Sequence, residues 1–474
     1  MTRAEKWFAV LGMALIAPAA GAQCVPMHLT AQQAHQRMMD LLHIQSIRPA
    51  FSGNSKGPNP ANYDEAKAGS FSKAPDALVL NDGKRVTTPK MWWTVRRPQI
   101  VAAFDENVLG KMPEDTPSVR WEVLSTARER NGDVPVITRK LVGHVDDSGC
   151  PAIKVDIEVT LSTPANARGP VPVIMQLDLS PEVMAMFAKR FPNMTKPKGP
   201  TWQQMALAHG WGYASYIPTS AQPDNAAGLT EGIIGLVSKG QPRSPDDWGV
   251  LRAWAWGASR ALDYFESDKD VDAGRVAIAG HSRYGKAALI TMAYDRRFAI
   301  GYISSSGEGG AKLYRHVYGE GVGNLASDEL YWMAGNFIRY DGPLTVNNLP
   351  LDANELIAMC APRPVFISGG ATEKGDAWVD AKGMFLAEAG ANEVYRLLGA
   401  KGLGTDVFPP MLTPLTSGAL AFRQHDEGHT PMPNYPYFLS WAERWLNAKN
   451  GSVPASPSAS ATRISAPRQS ASAE

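Results

Sequence analysis

The stretch RVAIAGHSRYGKAALI, Arg275 to Ile290, constrains this chain more than any other. Val276 to Ala279 are apolar without a break. A run lacking apolar/polar alternation suits a strand buried on both faces, which means a sheet with helices above and below it. Gly280, Gly285, Ala287 and Ala288 then keep bulk away from a turn and the helix that follows. So little bulk suits a sharp turn that presses the helix back against its own strand.

The rest of the chain repeats the unit. VPVIMQLDLS, WGYASYIP, AIGYISSSG, PVFISGG and LAFRQH are short apolar runs that read as strands. DDWGVLRAWAWGASRALDYFES, DAWVDAKGMFLAEAG and YPYFLSWAERWLNA read as amphipathic helices between or after them. Further upstream, MWWTVRRPQIVAAFDENVLGKMP repeats Val101, Phe104 and Val108 at helical spacing and stops at glycine and proline. VRWEVLSTA, VITRKLVGHV and AIKVDIEVTLSTP alternate as half-buried strands. The expected fold is α/β: a mostly parallel sheet in a three-layer sandwich, extended at one edge by N-terminal antiparallel strands.

Both ends differ from this core. Arg3 and Lys6, the apolar Phe8 to Ala17 and the small Ala20-Gly21-Ala22 have the pattern of a secretory leader over residues 1–22. That apolar run is shorter than the about 20 residues a membrane span needs. A secreted or periplasmic location is expected, with no membrane attachment after cleavage. Residues 449–474 are Ser, Ala and Pro with little apolar bulk, so disorder is expected there. Residues 23–448 form the expected single domain, and a monomer is expected. Of three cysteines, Cys360 precedes a buried-looking strand, which leaves Cys24 and Cys150 as the pair export would allow. Lys+Arg 47 against Asp+Glu 46 gives no basic excess, so nucleic acid is not an expected partner. No Cys or His pair has zinc spacing, and neither metal nor cofactor is expected.

A serine at the apex of a strand–turn–helix is the setting of a nucleophile elbow, and Ser282 holds that place. The bland alternative is an ordinary strand-to-helix turn. A hydroxyl needs a base, and this fold class orders them Ser, acid, His. His316 comes too soon. His425 and His429 share AFRQHDEGHTPM, and His429, in the loop past the strand end, is the favoured base. Asp376, just after the strand PVFISGG, is the favoured acid, with Glu373 beside it. Glu308, in the glycine-rich SSSGEGGAK, is the other candidate.

The motif GHSRYGK fits G-x-S-R-x-G-K and resembles the glucuronoyl esterases, family fifteen of the carbohydrate esterases. The likeness covers about Val171 to Asn447 and includes RALDYFE, SSSGEGGAK, GDAWVD and the His429 loop. It implies an α/β-hydrolase fold and metal-free cleavage of esters between 4-O-methyl-glucuronic acid on xylan and lignin alcohols. Glucuronoxylan and lignin–carbohydrate esters would be its partners. It implies Ser282 as nucleophile, His429 as base, and Arg283 reaching the oxyanion. Lys286, Trp378, Glu320 and Glu329 would bind the sugar. Many members carry their acid just before the serine and glycine of SSSGEGG, where this chain has Ser305. That departure shifts weight to Asp376, although a role shared with Glu308 stays open.

Without the resemblance, Lys286 reads as a solvated helix residue, Arg283 as a surface charge and Trp378 as core. Their joint placement around one elbow favours function. The competing readings are an acetylxylan or other carbohydrate esterase on the same fold, and a non-catalytic secreted glycan-binding protein. A propeller-capped peptidase is disfavoured, because no repeat precedes the hydrolase region.

Overall fold

The computed structural model describes residues 24–69, 74–190 and 199–447. The expected leader and the Ser/Ala/Pro tail lie outside the described residues. Among the described residues nine strands form one sheet: β1 (Val119–Asn131), β2 (Val134–Val145), β3 (Asp156–Pro164), β4 (Val171–Leu177), β5 (Gly212–Ile217), β6 (Val271–His281), β7 (Ile300–Ser304), β8 (Val365–Gly369) and β9 (Leu420–Gln424). Their spatial order is β1-β2-β3-β5-β4-β6-β7-β8-β9. From β5 to β9 every neighbouring pair is parallel, whereas β1, β2 and β3 add on antiparallel. The antiparallel extension is therefore where the alternating segments predicted it.

Side-chain alternation along the central strands divides the interior into two cores. Val173, Met175, Val276 and Ile278 join the larger one. Ile174, Ala277 and Ala279, the residues between them, join the smaller one on the opposite face. The larger core is completed by α3 (Val250–Ser267), α4 (Arg283–Tyr294) and α5 (Ala381–Gly390); the earlier helices are α1 (Arg97–Asn107) and α2 (Trp202–Ala208). The smaller core uses α2 and α6 (Tyr435–Leu446). Two apolar faces on one sheet give the expected three layers.

Two predicted helices come out interrupted. The segment leading into α1 passes through a π-turn at Trp92–Arg96. Pro98 explains it, since proline cannot donate to the carbonyl four residues back and its ring crowds that carbonyl. DAWVDAKGMFLAEAG splits into a 3-10 turn, Ala377–Val379, and α5. Asp380 stands between them with φ 55° and caps α5 by accepting the Gly383 amide at 2.8 Å.

The structure joins Cys24 to Cys150 in a disulfide and leaves Cys360 free and buried. No helix among the described residues is long and apolar enough to cross a membrane.

Candidate active site

The parallel strands bring the candidate residues to one edge of the sheet. Ser282 follows β6, Ser305 follows β7, Asp376 follows β8 and His429 follows β9, each beyond the strand's carboxyl end. These four strands are consecutive neighbours, so loops far apart in sequence meet above them.

At the elbow, Ser282 has φ 58° and ψ −130°. A non-glycine residue there costs on the order of 1–3 kcal/mol. The turn is held by the Ser282 amide, which donates to Ser304 O at 2.9 Å. Gly280 cannot be larger, because a Cβ there would lie 2.1 Å from Tyr284 O. Gly285, the late glycine, meets β7: a Cβ on it would stand 2.9 Å from Ser304 O. α4 begins at Arg283, so the amides of its first turn have no intrahelical acceptors and face the site.

His429 and Asp376 are in direct contact. His429 Nδ1 stands 2.5 Å from Asp376 Oδ1. The other carboxylate oxygen of Asp376 accepts the Gly370 amide at 2.5 Å and the Ser305 hydroxyl at 2.8 Å. Burial by itself would raise this carboxyl's pKa, but His429, Gly370 and Ser305 together hold it below the ordinary value. The imidazole is 39% exposed, and Nε2 remains for a proton from a nucleophile. No hydrogen bond joins Ser282 Oγ to His429 among the described residues; such contacts often tighten only around substrate. The ring of His281, the residue before Ser282, lies 4.2 Å from that of His429. His281 hydrogen-bonds Ser304 Oγ at 3.1 Å through Nδ1. Desolvation and the neighbouring His429 push its pKa down to about 3, so it packs against His429 as a neutral ring.

Glu308, the other candidate acid, points elsewhere. It is fully buried and paired with Lys312. Among the described residues it makes no hydrogen bond to His429. Ser305, at the position where the resemblance places an acid, instead anchors Asp376. His425 is buried, and its ring bonds Thr430 O at 2.8 Å, closing the loop that carries His429. His316 lies against Asp380 and Glu65, at 2.6 and 3.1 Å.

A second cluster lies beside the elbow. Lys286 is 3% exposed and donates to Glu308 O at 2.6 Å and Glu320 Oε2 at 2.9 Å. It is thus a buried ion-pair member rather than a solvated helix residue. The carboxylate of half-buried Glu329 has no hydrogen bond among the described residues, and burial with Glu320 and Asp328 nearby pushes its pKa up to about 7. Trp378 is half-buried, and its carbonyl accepts the Glu320 amide at 2.8 Å.

Arg283 is 45% exposed on its side chain and held by Asp224, Nη1 to Oδ2 at 2.6 Å. The other Asp224 oxygen accepts Trp332 Nε1 at 2.7 Å. Trp332 in turn lies beneath both cations, 5.2 Å from the Arg283 guanidinium and 5.7 Å from Lys286 Nζ. Sequence reasoning missed Asp224 and Trp332. The one available signal was Asp224's place in the loop beyond β5, a strand end on the same edge. Among the described residues no group of three or more His, Cys, Asp or Glu is arranged to hold a metal.

The chain is similar to known proteins in sequence and in fold. The family model for fungal glucuronyl esterases matches residues 243–399. A solved glucuronoyl esterase of carbohydrate-esterase family fifteen from Teredinibacter turnerae is 41% identical, with a TM-score of 0.83 over 88% of this chain and 99% of that one. A carbohydrate esterase from an unknown prokaryotic organism is 34% identical over 74% of this chain and 84% of its own length. A 4-O-methyl-glucuronoyl methylesterase from Schizophyllum commune is 29% identical over 70% of this chain and 75% of its own. With that coverage and the elbow in place, the chain belongs to the glucuronoyl esterases, carboxylic ester hydrolases of carbohydrate-esterase family fifteen with the α/β-hydrolase fold.

Proposed function

We propose that this chain works outside the cytoplasm, hydrolysing the ester between 4-O-methyl-glucuronic acid of glucuronoxylan and lignin alcohols, with Ser282, His429 and Asp376 as its triad. The observation that carries the triad is the 2.5 Å contact between His429 Nδ1 and Asp376, in a loop packed against the residue before Ser282. Ser282 Oγ attacks the uronate carbonyl carbon while His429 Nε2 takes the hydroxyl proton. The oxyanion forms beside the first-turn amides of α4 and the Arg283 guanidinium, groups already fixed before charge develops. Collapse of the intermediate breaks the bond to the alcohol oxygen, and His429 returns its proton to that oxygen. Water then repeats the sequence on the glucuronoyl-serine, releasing the acid and restoring Ser282. Lys286, Glu320, Glu329 and Trp378 hold the uronate ring. The Cys24–Cys150 disulfide supports export, because such bonds persist in oxidising compartments.

The substrate assignment is tested by offering benzyl glucuronate and acetylated xylan side by side. Cleavage of the first and not the second is expected. The reverse outcome would assign the chain to the acetylxylan esterases instead.

Asp224 sets the position of Arg283 in this scheme, so its replacement should act through the transition state. Asp224→Asn is expected to lower kcat by about 10- to 100-fold, somewhat less than loss of one oxyanion donor, with KM changed little. An increase in KM at constant kcat would place Arg283 on the ground-state substrate instead.

A further inference from the structure

The loop-rich segment 50–69 has no part in the reaction above, yet it is tied closely to the sugar side of the site. The Val317 amide donates to Ala68 O at 2.7 Å and the Gly319 amide to Asn62 O at 2.9 Å. Asn324 Nδ2 donates to Phe51 O at 2.8 Å. Glu65 reaches His316 at 3.1 Å and Lys382 at 2.5 Å. The segment is therefore bound along its length to the wall that carries Glu320 and Trp378.

That binding sets three aromatic rings together at the surface. Gly53 lies against Trp378: a Cβ on it would be 3.5 Å from Trp378 Cε3 and 4.0 Å from Tyr63 Oη. Tyr63 in turn meets Tyr318 edge to face, with centroids 5.6 Å apart at 81°. All three side chains are half-buried, so each keeps part of its ring open to solvent. The Tyr63 hydroxyl has no hydrogen-bond partner among the described residues. Both carboxylates of the segment are neutralised locally, Asp64 by Lys67 and Glu65 by His316 and Lys382. The surface thus offers apolar ring faces and a free hydroxyl beside paired carboxylates, which is the chemistry that recognises a sugar through its ring and hydroxyls.

We infer that Tyr63, Tyr318 and Trp378 form a stacking subsite for a neutral pentose of the xylan backbone that carries the uronate. This rests on the glucuronate-ester reading, since Trp378 is where the platform joins the uronate pocket. The subsite extends recognition from the side-chain sugar to the backbone, and Tyr63 is the member contributed by the loop-rich segment.

Two measurements on the full chain test it. In the first, Tyr63→Ala is expected to lower kcat/KM about tenfold, the scale of one aromatic contact, on a uronate ester carried by a xylo-oligosaccharide. On benzyl glucuronate it should match the wild type within about twofold, and Tyr63→Phe should retain most of the oligosaccharide activity. Equal losses on both substrates, or none on either, would overturn the subsite. In the second, Ser282→Ala protein with Tyr63 intact is titrated with xylotriose, which bears no uronate, and indole fluorescence is followed. Saturable quenching is expected; none up to the solubility limit overturns the proposal whether or not the Tyr63 variants fold. Failure of the wild type on benzyl glucuronate would defeat the esterase reading alone, because the xylotriose titration does not depend on it.

Discussion

Ser282→Ala is expected to lower kcat by at least about four orders of magnitude while KM-independent binding of the glucuronate product is kept. The expectation follows from where the side chain sits. Ser282 is at the apex of the elbow, and its backbone is fixed by the Ser304 carbonyl and by Lys286, whose amide donates to Ser282 O at 3.1 Å. Those bonds use main-chain atoms, so alanine keeps them. Alanine also meets the same positive φ, so the strain already present is neither relieved nor increased. The thermal midpoint should therefore stay near that of the wild type, and the loss should be chemical. Lys286 and Glu320 contact neither the hydroxyl nor each other through it, so product binding, measured by calorimetry, should persist. A serine-directed phosphonate should label the wild type at Ser282 and leave the variant unmodified. A variant retaining more than a tenth of the wild-type kcat would show that the nucleophile lies elsewhere, and labelling at another serine would identify it.

The parts of this site that were legible in the sequence are those set by local rules. An unbroken apolar run after Arg275 is a strand buried on both faces in any sequence that contains it, and Gly280 marks a close backbone approach. Chain order then places Asp376 and His429 after later strands, and the structure brings those two into contact. What local rules miss is the partner of a charge. Asp224 and Trp332 are separated by 107 intervening residues and meet only because the loops after β5 and before the Gly335 turn converge over α4. Lys286 looked solvated because helical spacing says nothing about the glycine-rich loop folding over it. Glu308 is a second candidate because its loop is right, and its fully buried side chain pairs with Lys312, four residues on. The interruption at Asp380 was hidden for a similar reason: the residue is pulled from helical geometry by its bond to His316, 64 residues away.

The choice of acid can be separated from the stability of the loop that carries the other candidate. Asp376→Asn is expected to cost about 10⁴-fold in kcat, as in triads where the acid becomes its amide. The local hydrogen bonds explain why. Gly370 N–H can only donate, and it points at Oδ2, so the amide oxygen of an asparagine will turn toward it. The NH₂ group then faces His429 Nδ1, which must accept, and the imidazole proton moves to Nε2. In that tautomer His429 cannot take a proton from Ser282. Glu308→Gln has a different expected result. Glu308 and Lys312 are both inaccessible to solvent, and weakening such a pair destabilises by up to about 3–5 kcal/mol. The thermal midpoint should fall accordingly. Lys286 is nevertheless held by the main-chain carbonyl of residue 308, which glutamine retains, so kcat per folded molecule should stay within about threefold of the wild type, a difference under 1 kcal/mol. If Glu308→Gln instead removed most of kcat at full foldedness while Asp376→Asn remained active, the triad would run through the glycine-rich loop, and the His429–Asp376 contact would be structural.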